Sequence, residues 1–322
     1  MLNDHSPGNT EDSVALAAGS RPANVSRAVR TVNFVFQPRI LFPVAAVVLL
    51  VFAGPRLRTL LPSLHEHPQF QFETSTIKLT EKPEWIPGDF LAQVIERSQL
   101  PKRHSVLRPD WAIEIADAFE SHPWVEGVNS VRALSSQRIE ANLKFRRPVA
   151  LVDVDGQLFP IDGQGVLLPG NDFSPHECEK YCPIQNVNSL PQGLVGEPWG
   201  DPAVSGAAAI AAALTPSEAE HQSPFWRDLG ISAIEIPRQF ESALPINLTY
   251  CLVTENGSRV QWGRAPGNDH PGELSTAQKL GRLERYLHRL DDGSGPYLID
   301  IRHWREISYE PLAAREDGER LN

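Results

Sequence analysis

Sulfur is scarce in this chain, with one methionine and three cysteines among 322 residues. Three thiols cannot all pair within one chain. Cys178 and Cys182 sit in the run HECEKYC beside His176. A metal centre needs about four ligands at a recognisable spacing, and this run has three in another pattern, so a local disulfide or two inert thiols fit better. Cys251, inside the apolar run 248–253, reads as a small core residue. Positive charge is also short: 30 Lys and Arg stand against 40 Asp and Glu, giving a net charge of −10 and a pI near 5.5. That balance argues against nucleic acid as a partner, because backbone phosphates need a basic face. There is no G-x-S-x-G, H-E-x-x-H, P-loop or G-x-G-x-x-G, so the common hydrolase, NTPase and dinucleotide chemistries have no foothold. The ten histidines are scattered, mostly in polar loops, and read as solvated. Asp153 and Asp155 bracket a turn, and turn chemistry explains them without catalysis. No cofactor and no metal is implied, and the expectation is a binding or scaffolding protein rather than an enzyme.

Long hydrophobic runs are nearly absent. The exception is residues 40–54, ILFPVAAVVLLVFAG, which carry no charge. As a helix they span about 22 Å, short of the ~30 Å hydrocarbon core. Adding 32–39 supplies the length, with Arg39 able to snorkel to the headgroups. The reading is a single transmembrane helix over 32–54 containing Ile40, Leu41, Phe42, Val44, Val47, Leu50 and Phe52. A weak positive-inside bias from Arg21, Arg27 and Arg30 places residues 1–31 inside as a disordered tail. A cleaved signal peptide ending near Ala53, or a buried core helix, are the two alternatives.

What remains is globular in composition, 41% apolar and 22% charged, and its 28 prolines and 22 glycines suit short strands and turns. Residues 55–68 form a proline-punctuated linker. Residues 70–79 alternate as a strand. Asp89 is placed to cap a helix over 90–97, and Asp110 a second helix over 111–120 with Ile113, Ala116 and Phe119 at helical spacing. An alternating run Val125, Val128, Val131, Leu134 and a second run Ile139, Ala141, Leu143, Phe145 flank the turn 135–137 as a hairpin. The order β-α-α-β-β places a three-stranded sheet under two helices over 69–148, with Trp85, Trp111 and Trp124 as core anchors. After Pro148, short strands flank the Asp155-Gly156 turn. Residues 165–168, 183–185, 231–237 and 244–253 follow as strands. An alanine-rich helix over 203–214 opens at Asp201-Pro202. A hairpin turns at Glu255-Asn256-Gly257, and an amphipathic helix over 274–290 carries Leu280, Leu283, Leu287 and Leu290. The last clear strand is 297–302, and 313–322 reads as a disordered tail.

The run from Pro123-Trp124-Val125 through Arg147-Pro148-Val149-Ala150, then the Gly257 hairpin ending in Trp262-Gly263, and finally Ile299-Asp300-Ile301-Arg302, resembles the FtsQ/DivIB cell-division family. The likeness spans about residues 40–312, each motif being loose and their order more specific. It implies an α+β protein: a transmembrane helix, a POTRA domain over 69–148, and a mostly antiparallel β-domain with two helices over 149–312. It further implies a non-enzymatic, single-pass inner-membrane scaffold at the division site, with most of the chain extracytoplasmic. Its partners would be FtsB/DivIC-like and FtsL-like bitopic proteins and the septal peptidoglycan synthesis machinery. In that family a partner adds a strand to the last sheet edge. Here this maps to residues 299–311, with Ile299, Ile301, Arg302, His303, Trp304, Ile307 and Tyr309 as the contact set. His303 stands where the family commonly has Tyr. The readings set against this are a POTRA-containing transport or assembly protein and a metal-dependent envelope hydrolase using His176, Cys178 and Cys182.

Overall fold

The computed structural model describes residues 42–43, 45–49, 51–52, 65, 67–215, 225–237, 247–268, 270–286, 295–304 and 307–312. The chain divides into two units, 1–63 and 64–322. In the first, Phe42, Val47 and Phe52 are helical with exposed side chains. Ile40, Leu41, Val44 and Leu50 lie outside the described residues, as do the two tails. Among the described residues no helix is long and apolar enough to cross a membrane.

The second unit is mixed α+β. Strands β1 (Gln71–Glu73), β2 (Lys78–Thr80), β3 (Arg103–Ser105), β4 (Val125–Ser135) and β5 (Arg138–Phe145) surround helices α1 (Phe90–Ser98) and α2 (Trp111–Glu120). The three-stranded sheet has the order β2-β5-β4, with β2 parallel and β4 antiparallel to β5. Phe90, Val94, Ile115, Phe119, Trp124, Ile139 and Ala141 fill the core between sheet and helices. β1 pairs with β3 in a separate ribbon.

Several local expectations change here. The strand over 70–79 breaks into β1, a 3-10 turn Thr74–Thr76, and β2. The Thr74 hydroxyl donates to Pro101 O at 2.5 Å and the Thr76 hydroxyl to Glu73 O at 2.7 Å. These side-chain bonds give the backbone an alternative to the ladder. The apolar stripe of α2 is Trp111, Ile115, Ala118 and Phe119, while Ile113 is exposed. Neither Asp89 nor Asp110 caps its helix with its side chain; Asp89 Oδ1 accepts from Gln93 Nε2 instead. The hairpin forms, but the three-residue spacing of Val125, Val128 and Val131 is not simple alternation. Each interval holds a bulge, so Val125, Val128 and Val131 face Phe145, Leu143 and Ala141 in register. Ala133 stands opposite Ile139, and a third irregularity between Ala133 and Ser135 takes up Leu134, which is exposed.

The remaining strands are β6 (Pro148–Val154), β7 (Gln157–Asp162), β8 (Cys182–Gln185), β9 (Ile231–Glu235), β10 (Tyr250–Thr254), β11 (Arg259–Gly263), β12 (Tyr297–Asp300) and β13 (Ser308–Pro311). They form one eight-stranded sheet in the order β13-β12-β11-β10-β9-β8-β6-β7. The β6–β7 turn is as expected: Asp155 and Gly156 both have positive φ, which a two-residue hairpin of this twist requires. Residues 166 and 167 make only isolated bridges; of the strand expected over 244–253, residues 244–246 lie outside the described residues and the observed strand begins at Tyr250. Helix α3 (Pro202–Ala213) is capped by Asp201, whose Oδ1 accepts from Ala203 N at 2.8 Å. It buries Val204, Ala207, Ile210 and Ala211 in the core of the large sheet. Small alanines let a helix lie close to strands. Trp199 and Trp262 are fully buried in the same core. Helix α4 (Thr276–Tyr286) buries Leu283 and, unexpectedly, Lys279. Leu280 packs partly; Leu287 and Leu290 lie outside the described residues.

Side-chain bonds among the described residues tie the first sheet to the second, and two of them are short. Arg146 Nη1 donates to Asp162 Oδ2 at 2.8 Å, both side chains being largely buried. Trp124 Nε1 donates to Asp172 Oδ2 at 2.7 Å. His104 and His122 are buried rather than solvated. Burial pushes the pKa of both down, His122 to about 4 with the nearby Arg97 charge adding to the effect.

Candidate partner-binding edge

The end of the large sheet is built by three segments. β11 is parallel to β12, and β12 is antiparallel to β13. β12 is therefore an interior strand, and β13 is the terminal one. Ile299 and Ile301, expected in the contact set, are both 2% exposed and belong to the core. Alternation explains this: in Y-L-I-D-I, Ile299 faces the helices with Val260 of β11 and Leu252 of β10. Ile307 is partly buried against the same core. Arg302 and His303 line the connection out of β12. Trp304 is 68% and Tyr309 40% exposed, and all four residues of β13 are exposed. Among the described residues the exposed part of this end is thus β13 with Trp304, narrower than the segment 299–311.

A network that the sequence reading missed holds this end in place. Arg302 Nε and Nη2 donate to Asp300 Oδ1 and Oδ2 at 3.0 and 2.7 Å, a bidentate pair two residues apart. Burial works to raise the Asp300 carboxyl, but the hydrogen bonds and charge of Arg302 outweigh it and leave the group below the usual carboxylate range. Arg302 O accepts from Leu274 N at 2.8 Å. Arg282 of α4 donates to His303 O at 2.6 Å. Beneath them, Lys279 Nζ donates to Glu273 Oε1 at 2.6 Å and stands 5.2 Å over the Trp262 ring. Glu273 Oε1 also accepts from Arg264 N at 2.9 Å. The available signal was positional: Lys279 lies four residues before Leu283, on the apolar stripe of an otherwise amphipathic helix.

All three cysteines are free thiols. Burial pushes Cys182 up to about 12 and Cys251 up to about 11, so neither forms a ready thiolate. His176 is exposed and 3.5 Å from Glu179, while Cys182 lies inside β8. Among the described residues no group of three His, Cys, Asp or Glu side chains could hold a metal ion. The second face of the sheet carries a polar cleft of about 580 Å3. Its guanidiniums, Arg259 and Arg302, are already paired with Glu235 and Asp300. No family model matches this chain, and no curated protein matches it in sequence.

Proposed function

We propose that this protein is a non-enzymatic scaffold of the FtsQ/DivIB type, a single-pass inner-membrane protein of the septal division machinery. In this reading 32–54 is the anchor, 69–148 is a POTRA domain that contributes recruitment, and 149–312 is the β-domain. β13 is the edge to which an FtsB/DivIC-like protein, together with an FtsL-like one, adds a strand. The observation that carries the reading is the end of the eight-stranded sheet: a short, wholly exposed terminal strand beside a largely exposed Trp304. An open edge offers backbone donors and acceptors for affinity, and neighbouring side chains for selectivity. The three-stranded sheet under two helices, with β2 before α1 and α2 and the β4–β5 hairpin after them, supports the POTRA assignment, while the β1–β3 ribbon, with β3 between the helices, is additional to that order.

The test is a pull-down from solubilised membranes with tagged full-length protein, beside a form truncated before Tyr297 and a Trp304→Ala, Tyr309→Ala double variant. The full-length protein is expected to recover small single-pass proteins that the other two lose, since exposed aromatics at an interface centre are frequent hot spots worth about 2 kcal/mol or more. Equal recovery by all three forms would remove β13 from the interface.

A further inference from the structure

The opposite end of the large sheet carries a second opening. A cleft of about 670 Å3 lies between β7, helix α1 and the 169–172 turn. Leu158, Phe159, Leu168, Pro123 and Val195 supply apolar lining, and Arg97 supplies a cation. The outer side of β7 is partly used: Leu168 N donates to Pro160 O at 2.8 Å, and Asp162 N donates to Val166 O at 3.1 Å. In an antiparallel strand, residues two apart direct their backbone groups the same way. Leu158 therefore turns its N–H and C=O outward, into the cleft, where no backbone partner meets them among the described residues. The next rung, at Pro160, is taken by Leu168, so a strand added at Leu158 stops there. This geometry fits a chain end, not a segment passing through.

The charges fit one kind of end. Asp172 keeps its charge, but its Oδ2 is turned to the Trp124 indole, which donates to it at 2.7 Å. His122 is neutral near pH 7. Arg97, exposed in the last turn of α1, makes no ion pair or hydrogen bond among the described residues. We infer that this cleft receives the carboxyl-terminal end of an extended partner polypeptide, with a short strand added at Leu158, an apolar side chain beside Phe159 and Val195, and the terminal carboxylate on Arg97. Strand addition supplies the common affinity of such sites, and capture of the terminal charge supplies their polarity.

The site is independent of the β13 edge, and the experiment keeps them apart. Purified full-length protein is panned with displayed random decapeptides that end in a free carboxylate. Enriched peptides are then measured as synthetic probes by fluorescence anisotropy. Their affinity is expected to fall at least tenfold when the carboxylate is amidated and in Arg97→Ala. Leu158→Pro, which removes the outward N–H without removing a bond to β6, is expected to act likewise. Arg97 is exposed, so its variant carries the test even if the proline variant misfolds. Trp304→Ala with Tyr309→Ala is expected to leave the affinity unchanged. Failure to enrich any peptide, or unchanged affinity on amidation or in Arg97→Ala, would overturn the inference. Peptides lost only in the β13 double variant would do so as well, while supporting the edge proposed above.

Discussion

The two ends of the eight-stranded sheet solve the same problem in opposite ways. A terminal strand exposes unpaired backbone groups, which invite association with other chains. At β7 most of that edge is closed. Pro160, Ile161 and Asp162 are buried, residues 166–168 bond along their outer side, and Leu167 is bonded in turn to Glu197 and Gly196. At β13 nothing among the described residues covers the strand, and it is kept short, with Glu310 exposed. Both ends use proline. Leu312 N donates inward to Pro296 O, so alternation puts the missing donor of Pro311 on the outer side. Pro160 likewise sits where its outward position needs no N–H. At β7 the fold itself fills the edge from Pro160 onward and leaves Leu158 alone open, whereas all four residues of β13 are exposed.

Breaking the closed end should cost most. Asp162 neutralises Arg146 and also accepts from Gln164 N at 2.8 Å and Val166 N at 2.9 Å. Asp162→Ala strands a guanidinium that is only 15% exposed and removes Oδ1, the acceptor of two turn N–H groups. A loss of about 3–5 kcal/mol is expected, read as a fall in the urea midpoint. Asp162→Asn, which keeps an acceptor for the turn, should lose less. A midpoint within error of wild type would mean that the ion pair does not join the two sheets. Glu273→Ala is the matching test near the other end. Lys279 is 4% exposed at its side chain and would be left beside Trp262 without its carboxylate. The expected loss is about 3 kcal/mol. A small loss here beside a large one at Asp162 would widen the contrast between the ends. Similar losses would confine the contrast to β13 itself.

Much of this was legible in local sequence. The turns at Asp155-Gly156 and Glu255-Asn256-Gly257 and the Asp201 cap follow from chemistry within a few residues. The misreadings share a different origin. Val125, Val128 and Val131 line one face only because bulges absorb a residue in each interval, and bulges are set by the partner strand. Ile299 and Ile301 entered the contact set through the resemblance, which maps the whole of 299–311 to one sheet edge; the structure puts them on the inner strand β12 because SYEP pairs outside it as β13. His104 and His122 appeared to be loop histidines, but β1 and α1 close over them: Phe72 stacks on His104 at 5.6 Å, and Phe90 meets His122 edge-on at 4.8 Å. Only tertiary packing buries them.

That burial has a pH consequence. With a folded-state pKa near 4 and an unfolded value near 6.5, His122 takes up its proton more readily in the unfolded chain. Stability is therefore level above pH 6.5 and falls as pH drops from 6.5 toward 4, by roughly 3 kcal/mol at most. His104, also lowered, acts with the same sign. His122→Asn keeps an acceptor toward Trp124 N but cannot titrate in this range. Urea midpoints at pH 7, 5 and 4 should show a shallower decline in the variant. Parallel declines would assign the acid sensitivity to other groups.

The smallest expected effect sharpens the comparison most. Trp304 is a large apolar side chain with two thirds of its surface in water, so truncation removes little burial. Trp304→Ala should leave the melting temperature within about 0.5 kcal/mol of wild type in equivalent stability, as for surface positions without special contacts. The same substitution should reduce partner recovery in the pull-down. Stability and binding are thus expected to separate at the open end, whereas at Asp162 they are bound together through the fold. A drop in melting temperature of several degrees would mean that Trp304 is part of the folded core, and it would take that residue out of the partner edge.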